Sequence, residues 1–140
     1  MILAAGFLSP ISCKTGEPGD VYVRDGEQFG VTEGRFRGRW WNHYERGTSF
    51  LRGGFYAEAE EDFRGALSGR RRDQRWARTY GLHLVPAYFP HRELGITLFR
   101  QGRVEEAIDH FDTSLGMAWS ARAAYYRDLA RRELLASSGG

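Results

Sequence analysis

The chain contains two copies of one residue pattern, and the second copy lies 48 residues after the first. Counting from Gly47 and from Gly95, each copy has a glycine seven residues on, an alanine twelve on, a phenylalanine sixteen on and a leucine twenty on. These positions are Gly54/Gly102, Ala59/Ala107, Phe63/Phe111 and Leu67/Leu115. Self-similarity of this kind predicts a repeated supersecondary unit, and it constrains the fold more than local propensities do.

The spacing within each copy predicts an antiparallel pair of helices joined at the second glycine. Alanine, phenylalanine and leucine four residues apart form one apolar stripe on a helix. A glycine inside a helix costs about 1 kcal/mol relative to alanine, so we expect Gly47 and Gly95 to allow a facing helix to approach closely. The residues predicted to pack the paired helices are Gly47, Ala59 and Phe63 in the first copy, and Gly95, Ala107 and Phe111 in the second.

These residues resemble the tetratricopeptide repeat, a family of all-α proteins built from antiparallel helical hairpins. The resemblance covers about residues 39–136 and implies a stack of such hairpins. Arg46 stands where the family pattern has leucine, and neither copy ends in the usual proline. The matching residues are Gly47, Phe50, Ala59, Phe63 and Ala66 in the first copy, and Leu94, Gly95, Leu98, Ala107 and Phe111 in the second.

The length of the spacing divides the chain into segments. The family period is about 34 residues, so 48 minus 34 leaves an insertion of 14 residues between the copies. We predict units at about 40–72 and 88–118, an insertion at about 73–87 and a capping helix at about 120–136. We also expect the second helix of the first unit to continue through Arg72 to Arg78. Ahead of the units, Asp25 and Gly26 between β-favouring residues predict a β-hairpin within 21–34.

The N-terminal segment, residues 1–20, carries no charge in its first twelve positions, and the chain's one cysteine, Cys13, follows them. A small residue before a cysteine resembles a bacterial lipoprotein cleavage site, which would place a lipid on Cys13 and favour the cell envelope over the cytoplasm. Pro10 stands where leucine is usual and no basic segment precedes Ile2, so an apolar arm that packs on the domain is the alternative. A single cysteine excludes an intrachain disulfide and a zinc site built on several thiolates.

The family resemblance implies a concave groove that binds a peptide or a partner helix and is lined by the first helix of each unit. Arginines beside aromatic rings favour a partner that carries carboxylates. The alternative is that these arginines are only solvated. The candidate groove residues are Tyr44, Thr48, Leu51 and Arg52 in the first unit, and Arg92, Ile96, Phe99 and Arg100 in the second.

Two arginine-rich segments also contain aromatic residues, as in proteins that bind single-stranded nucleic acid. They are residues 35–41 (RFRGRWW) and 70–80 (RRRDQRWARTY). The formal net charge is only +2, and the acidic run at 58–62 offers intramolecular partners for these arginines. We therefore expect a protein partner rather than a nucleic acid.

No common catalytic motif occurs in the sequence. The candidate bases are the four histidines, and two of them, His43 and His91, occupy equivalent repeat positions, which favours packing or groove lining over chemistry. We predict no enzymatic activity, no cofactor and no metal site.

Together these features predict a non-catalytic scaffold that binds a protein or peptide partner, with a membrane contacted only through a lipid on Cys13. Residues 34–96 are also similar to the repeat region of bacterial envelope proteins in which tetratricopeptide units precede a caspase-like peptidase domain. The alternative is therefore an N-terminal recognition module of a larger enzyme.

Overall fold

The structure is a computed structural model that describes residues 22–139, and helices account for 60% of these residues. The prediction of a mainly helical fold preceded by a short β-hairpin is confirmed. The described elements are β1 (Tyr22–Arg24), β2 (Glu27–Phe29), α1 (Trp40–Gly53), α2 (Tyr56–Gly69), β3 (Gln74–Arg78), β4 (Leu84–Tyr88), α3 (Pro90–Arg100), α4 (Val104–Met117) and α5 (Ala121–Ser138).

The first hairpin, β1 and β2, pairs antiparallel around a turn at Asp25 and Gly26, whose φ angles are 52° and 80°. Positive φ at both central residues suits an Asp-Gly turn. Phe29 from β2 is 5% exposed and lies directly over Gly53 at the end of α1. This apolar contact attaches the hairpin to the helices, which a two-stranded ribbon needs because it is marginally stable alone.

The helices form two equivalent pairs, α1 with α2 and α3 with α4. A Cβ atom on Gly47 would lie 3.0 Å from Phe63 Cε1, and a Cβ atom on Gly95 would lie 2.7 Å from Phe111 Cε1. Both phenylalanines are fully buried, as are Ala59 and Ala107, one turn before them. In each pair, therefore, the ring of the second helix lies against the glycine of the first.

The helices stack in chain order, so that each packs against the next and α3 also contacts both α1 and α5. One apolar core runs through all of them, from Tyr44 and Phe50 in α1 to Ala130 in α5. The α5 helix begins where the Ser120 hydroxyl accepts a hydrogen bond from the Ala123 amide, and it covers α4.

A second hairpin, β3 and β4, separates the two helix pairs and was not predicted. The expected continuation of the first unit's second helix to Arg78 is wrong, because α2 ends at Gly69 and Arg70 is extended, with φ −151° and ψ 111°. The hairpin lies in the segment assigned to the insertion, and Trp76 pairs with Pro86 across it.

Each end of this second hairpin is attached to a helix terminus. The buried Asp73 carboxylate accepts hydrogen bonds from the backbone amides of His91 (2.8 Å) and Arg92 (3.1 Å), in the first turn of α3. The Tyr88 hydroxyl donates to the Arg70 carbonyl at 2.8 Å, just after α2. Both contacts satisfy backbone groups that a helix end leaves unpaired.

Polar side chains also repeat at a spacing of 48 residues. In the first pair of helices, His43 Nδ1 lies 2.9 Å from Asp62 Oδ1, and in the second, His91 Nδ1 lies 3.0 Å from His110 Nδ1 at the equivalent positions. Asp62 is 1% exposed and is also bound by Arg46, whose Nε lies 2.7 Å from Asp62 Oδ2. The same helix contact is thus a histidine–carboxylate pair in one unit and a histidine pair in the other.

An ion network joins α2 to the second unit. Arg103 contacts both oxygens of Glu60, at 2.8 and 2.9 Å, and Arg64 contacts Glu60 and Glu106 at 3.0 and 2.8 Å. Burial alone would raise the pKa of Glu60, but hydrogen bonds from Arg103 and Arg64 outweigh it and lower that pKa. These four residues link α2 to the start of α4.

Cys13 and the rest of the N-terminal segment lie outside the described residues. Within residues 22–139, no helix has the length and apolar character needed to cross a bilayer.

Candidate functional site

A groove of about 670 Å³ runs between α1, α3 and α5, with β1 at one side. We call it the arginine groove, because four guanidinium groups and only one carboxylate line it. Its lining residues are Arg24, Thr48, Leu51, Arg52, Gly53, Gly54, Tyr56, Glu93, Ile96, Arg100, Arg122 and Tyr126.

The floor of the arginine groove is apolar. Ile96 is 2% exposed and Leu51 is half-buried, and both belong to or border the core. Thr48 is exposed, and its hydroxyl donates to the Tyr44 carbonyl at 2.8 Å, which leaves its methyl group as the contact surface. A floor of this kind suits aliphatic side chains of a ligand.

Two arginines line the groove on the side of the first hairpin. Arg24 donates to the Gly53 carbonyl at 2.6 Å and lies 4.4 Å from the ring centroid of Phe55, so its position is set by uncharged partners. Arg52 lies 3.2 Å from Glu27, and both side chains are more than half exposed. Such an exposed pair contributes little to stability, about 0–1 kcal/mol, so Arg52 remains available to another carboxylate.

The other two arginines flank Tyr126 from α5. Arg100 Nη2 lies 3.4 Å from the Tyr126 hydroxyl, and Arg100 forms no ion pair with any residue in 22–139. Arg122 lies 3.7 Å from Glu93, a buried carboxylate that Arg92 already binds at 2.7 Å. The groove therefore presents cationic groups whose charge is incompletely matched by the described part of the chain.

Five of the eight predicted groove residues line the arginine groove, namely Thr48, Leu51, Arg52, Ile96 and Arg100. Tyr44 lies in the core instead, where its hydroxyl donates to the Ala87 carbonyl at 2.7 Å and accepts from the Phe89 amide at 3.2 Å. Burial and then Glu93 raise the pKa of this hydroxyl, so it stays a neutral donor.

The remaining two predicted residues are turned toward other partners. Arg92 pairs with Glu93 and covers the ring of Phe89 at 4.1 Å. Phe99 packs edge-on against Tyr126, with ring centroids 6.2 Å apart. It therefore contacts a lining residue of the groove without lining the groove itself.

Sequence reasoning missed five lining side chains, Arg24, Tyr56, Glu93, Arg122 and Tyr126. Arg24 and Tyr56 come from a hairpin and a second helix, which the family resemblance does not assign to a groove. Arg122 and Tyr126 lie four residues apart on α5, so they share one helix face. That spacing could have indicated groove residues, because α5 follows two helical pairs and so occupies the position that the first helix of a third pair would have.

Two of the four histidines, His91 in α3 and His110 in α4, contact each other. His91 Nε2 lies 3.0 Å from the Arg71 carbonyl, so it carries the proton, and His91 Nδ1 accepts from His110 Nδ1. Burial, and secondarily the neighbouring His91, lowers the pKa of His110 to about 4. Among residues 22–139, no group of three histidine, cysteine or acidic side chains is placed to bind a metal ion.

Comparison of the sequence with protein-family models and with curated proteins finds no significant match.

Proposed function

We propose that this chain is a non-catalytic interaction module built on tetratricopeptide-like repeats, and that its arginine groove binds an extended, carboxylate-bearing segment of a protein partner. The observation that carries the proposal is the convergence of Thr48, Leu51, Arg52, Ile96 and Arg100, selected from repeat positions alone, on one groove between three stacked helices.

The repeat character of the module is supported by contacts that recur after 48 residues. The amide of Phe55 donates to the Phe50 carbonyl at 3.0 Å, and the equivalent amide of Arg103 donates to the Leu98 carbonyl at 2.9 Å. The glycine–phenylalanine contacts and the polar pairs described above recur at the same spacing. Two helical hairpins with the same internal contacts, followed by a covering helix, agree with a short repeat stack.

The chemistry of the groove defines the partner class. Guanidinium groups bind carboxylates in a bidentate manner, and Arg100 and Arg24 have no carboxylate partner within the described residues. The apolar floor between them accepts aliphatic side chains. A segment that carries both acidic and aliphatic residues would satisfy both.

The test compares affinity capture from the native host by three forms of the protein. The groove variant carries Arg52→Gln and Arg100→Gln. The control carries Arg131→Gln and Arg132→Gln, which remove the same charge from exposed positions of α5 outside the groove. We expect wild type and control to recover the same partners and the groove variant to lose them. If both variants recover the same partners, the groove assignment is wrong.

A recovered partner permits a second test with a synthetic segment of it. Thr48→Glu places a negative charge on the groove floor at an exposed position, where it repels a carboxylate-bearing ligand without a change in the core. We expect a weaker affinity for the segment by at least tenfold, or about 1.4 kcal/mol. An unchanged affinity would place the ligand elsewhere.

Attachment of this module to a membrane through a lipid on Cys13 is a separate proposal. Mass spectrometry of the mature protein from its native host tests it directly, since the lipid adds mass to Cys13 and the accompanying cleavage removes the residues before it. An unmodified Met1 terminus would exclude it.

A further inference from the structure

The arginines of 35–39 and 70–78 form a second group, separate from those of the arginine groove. Two members of the acidic run that was expected to neutralise them are engaged elsewhere, because Glu60 binds Arg64 and Arg103, and Asp62 binds Arg46. No arginine in 35–39 or 70–78 forms an ion pair with any residue between 22 and 139. Intramolecular pairing, the simpler explanation of these two segments, therefore does not account for them.

The two segments meet at the end of the helix stack where α1 begins. The Arg70 guanidinium lies 5.0 Å from the ring of Trp40, and Trp40 contacts Trp41 with ring centroids 5.3 Å apart. Trp41 in turn lies 6.0 Å from Tyr80, at the tip of the second hairpin. Tyr80 stacks on His83 with ring planes 10° apart, and Tyr80 is 64% exposed. Cations and rings thus form one continuous surface.

A cleft of about 610 Å³ lies within this surface, and Arg35, Arg37 and Arg39 line it together with Trp41 and Tyr80. We call this surface the stacking face. The loop that carries its arginines is held in place by the buried Asn42, whose side-chain oxygen accepts from the backbone amides of Arg37 (3.1 Å) and Arg39 (3.3 Å).

Two carboxylates, Glu33 and Glu45, also line the cleft, and they do not cancel its charge. Three arginines outnumber them. The Glu45 carboxylate accepts a hydrogen bond from the Glu33 backbone amide, so part of its capacity is used within the loop. The cleft also lies at the N-terminus of α1, where the helix dipole favours a bound anion.

We propose that the stacking face binds single-stranded nucleic acid, with the arginines along the phosphodiester backbone and bases stacked on the exposed ring of Tyr80. This site is separate from the arginine groove and does not depend on the function proposed for it. Unpaired cations beside solvent-exposed ring faces are the combination that sequence-tolerant single-strand binders use. A duplex hides its base faces, and an acidic peptide has no planar group for the rings, so both fit this surface less well.

The test is fluorescence anisotropy of the full chain with labelled oligothymidylate and oligouridylate of about 12 nucleotides, a length within the range of single-domain sites. A duplex of the same length is the comparison, and the two single strands distinguish DNA from RNA. Titrations at several salt concentrations give the number of phosphate contacts, because the logarithm of affinity falls by about 0.7 per contact for each tenfold rise in salt.

The variants separate charge from stacking. We expect Arg35→Gln with Arg37→Gln to weaken binding by tenfold or more and to reduce the salt slope by about 1.4, the value for two lost contacts. The charge-matched control, Arg131→Gln with Arg132→Gln, should change neither quantity. Tyr80→Ala should weaken binding about tenfold with the salt slope unchanged, since it removes the ring on which a base stacks and no charge. Tyr80→Phe should retain the wild-type affinity.

The proposal is overturned if neither single strand binds, or if the duplex binds as tightly as the single strands. It is equally overturned if both double arginine variants weaken binding alike, or if Tyr80→Ala binds as wild type does. None of these results bears on the arginine groove, because Arg35, Arg37 and Tyr80 do not line it.

Discussion

Replacement of Gly95 by alanine tests the close helix crossing on which the repeat assignment depends. A Cβ atom at this position would lie 2.7 Å from Cε1 and 2.8 Å from Cδ1 of Phe111, distances that real Cβ contacts essentially never show. The ring has little room to move away, because Phe111 is fully buried and Tyr126 lies next to it with ring centroids 6.3 Å apart.

The size of the effect follows from two opposing contributions. Overpacking of a well-packed core costs about 1–3 kcal/mol, whereas alanine in place of glycine stabilises a helix interior by about 1 kcal/mol. Gly116→Ala is the matched control, since Gly116 lies in α4 with no atom within 4 Å of its would-be Cβ. The control gains only the helix contribution, so the two variants should differ in free energy of unfolding by about 1–3 kcal/mol.

Urea unfolding followed by far-ultraviolet circular dichroism measures both variants. A double variant, Gly95→Ala with Phe111→Leu, removes the atoms that Cβ would meet, so we expect it to be more stable than the sum of the single effects predicts. If Gly95→Ala proves as stable as Gly116→Ala, the close approach of α3 to α4 at this point does not exist. The two copies of the pattern would then not share a close glycine–phenylalanine contact.

The other predictions concern Asp73 and His110. Asp73→Ala should destabilise the protein by about 1–3 kcal/mol, because two amides of α3 lose their acceptor. The control Asp112→Ala breaks only exposed ion pairs and should cost less than about 1 kcal/mol. Equal unfolding midpoints for the two variants would contradict this. The pKa of His110 is lowered from its usual 6.5 to about 4, so the neutral ring contributes stability above pH 6.5 that is lost as the pH falls toward 4. His110→Gln should reduce the drop in unfolding free energy between these pH values by about 1–2 kcal/mol, allowing for partial solvent screening, and an unchanged pH dependence would refute the assignment.

The paired helices were predictable because their signal is local and occurs twice. The glycine, alanine and phenylalanine spacings describe which faces meet, and each copy supports the other. The second hairpin was not predictable in the same way. Arginine and glutamine favour helices, so residues 70–78 read as a continuation of α2. Instead, this segment forms a strand whose hairpin is held by contacts between residues far apart in sequence. The Asp73 carboxylate accepts from the His91 amide, and the Tyr88 hydroxyl donates to the Arg70 carbonyl.

The candidate groove shows the same limit. Five of the lining side chains were predicted correctly, because their prediction depends only on the position of each residue within its repeat. Tyr44 does not line the groove, because its hydroxyl donates to the Ala87 carbonyl of the second hairpin. The position of a residue within its repeat does not indicate such a contact. The stacking face differs again: its two segments were visible in the sequence, but the distribution of ion pairs, which separates them from the helical arginines, required the structure.

The attachment of the second hairpin has a consequence for how this surface can change. Because Asp73 and Tyr88 secure its two ends to α3 and α2, the tip at 79–83 lies beyond the contacts that hold the helices together. Substitution or lengthening of the tip should therefore alter what the molecule recognises while the helical framework keeps its stability, since longer surface loops cost little additional free energy. If the stacking face binds as proposed, the tip of the second hairpin is a loop that can be exchanged without loss of the helical framework that carries it.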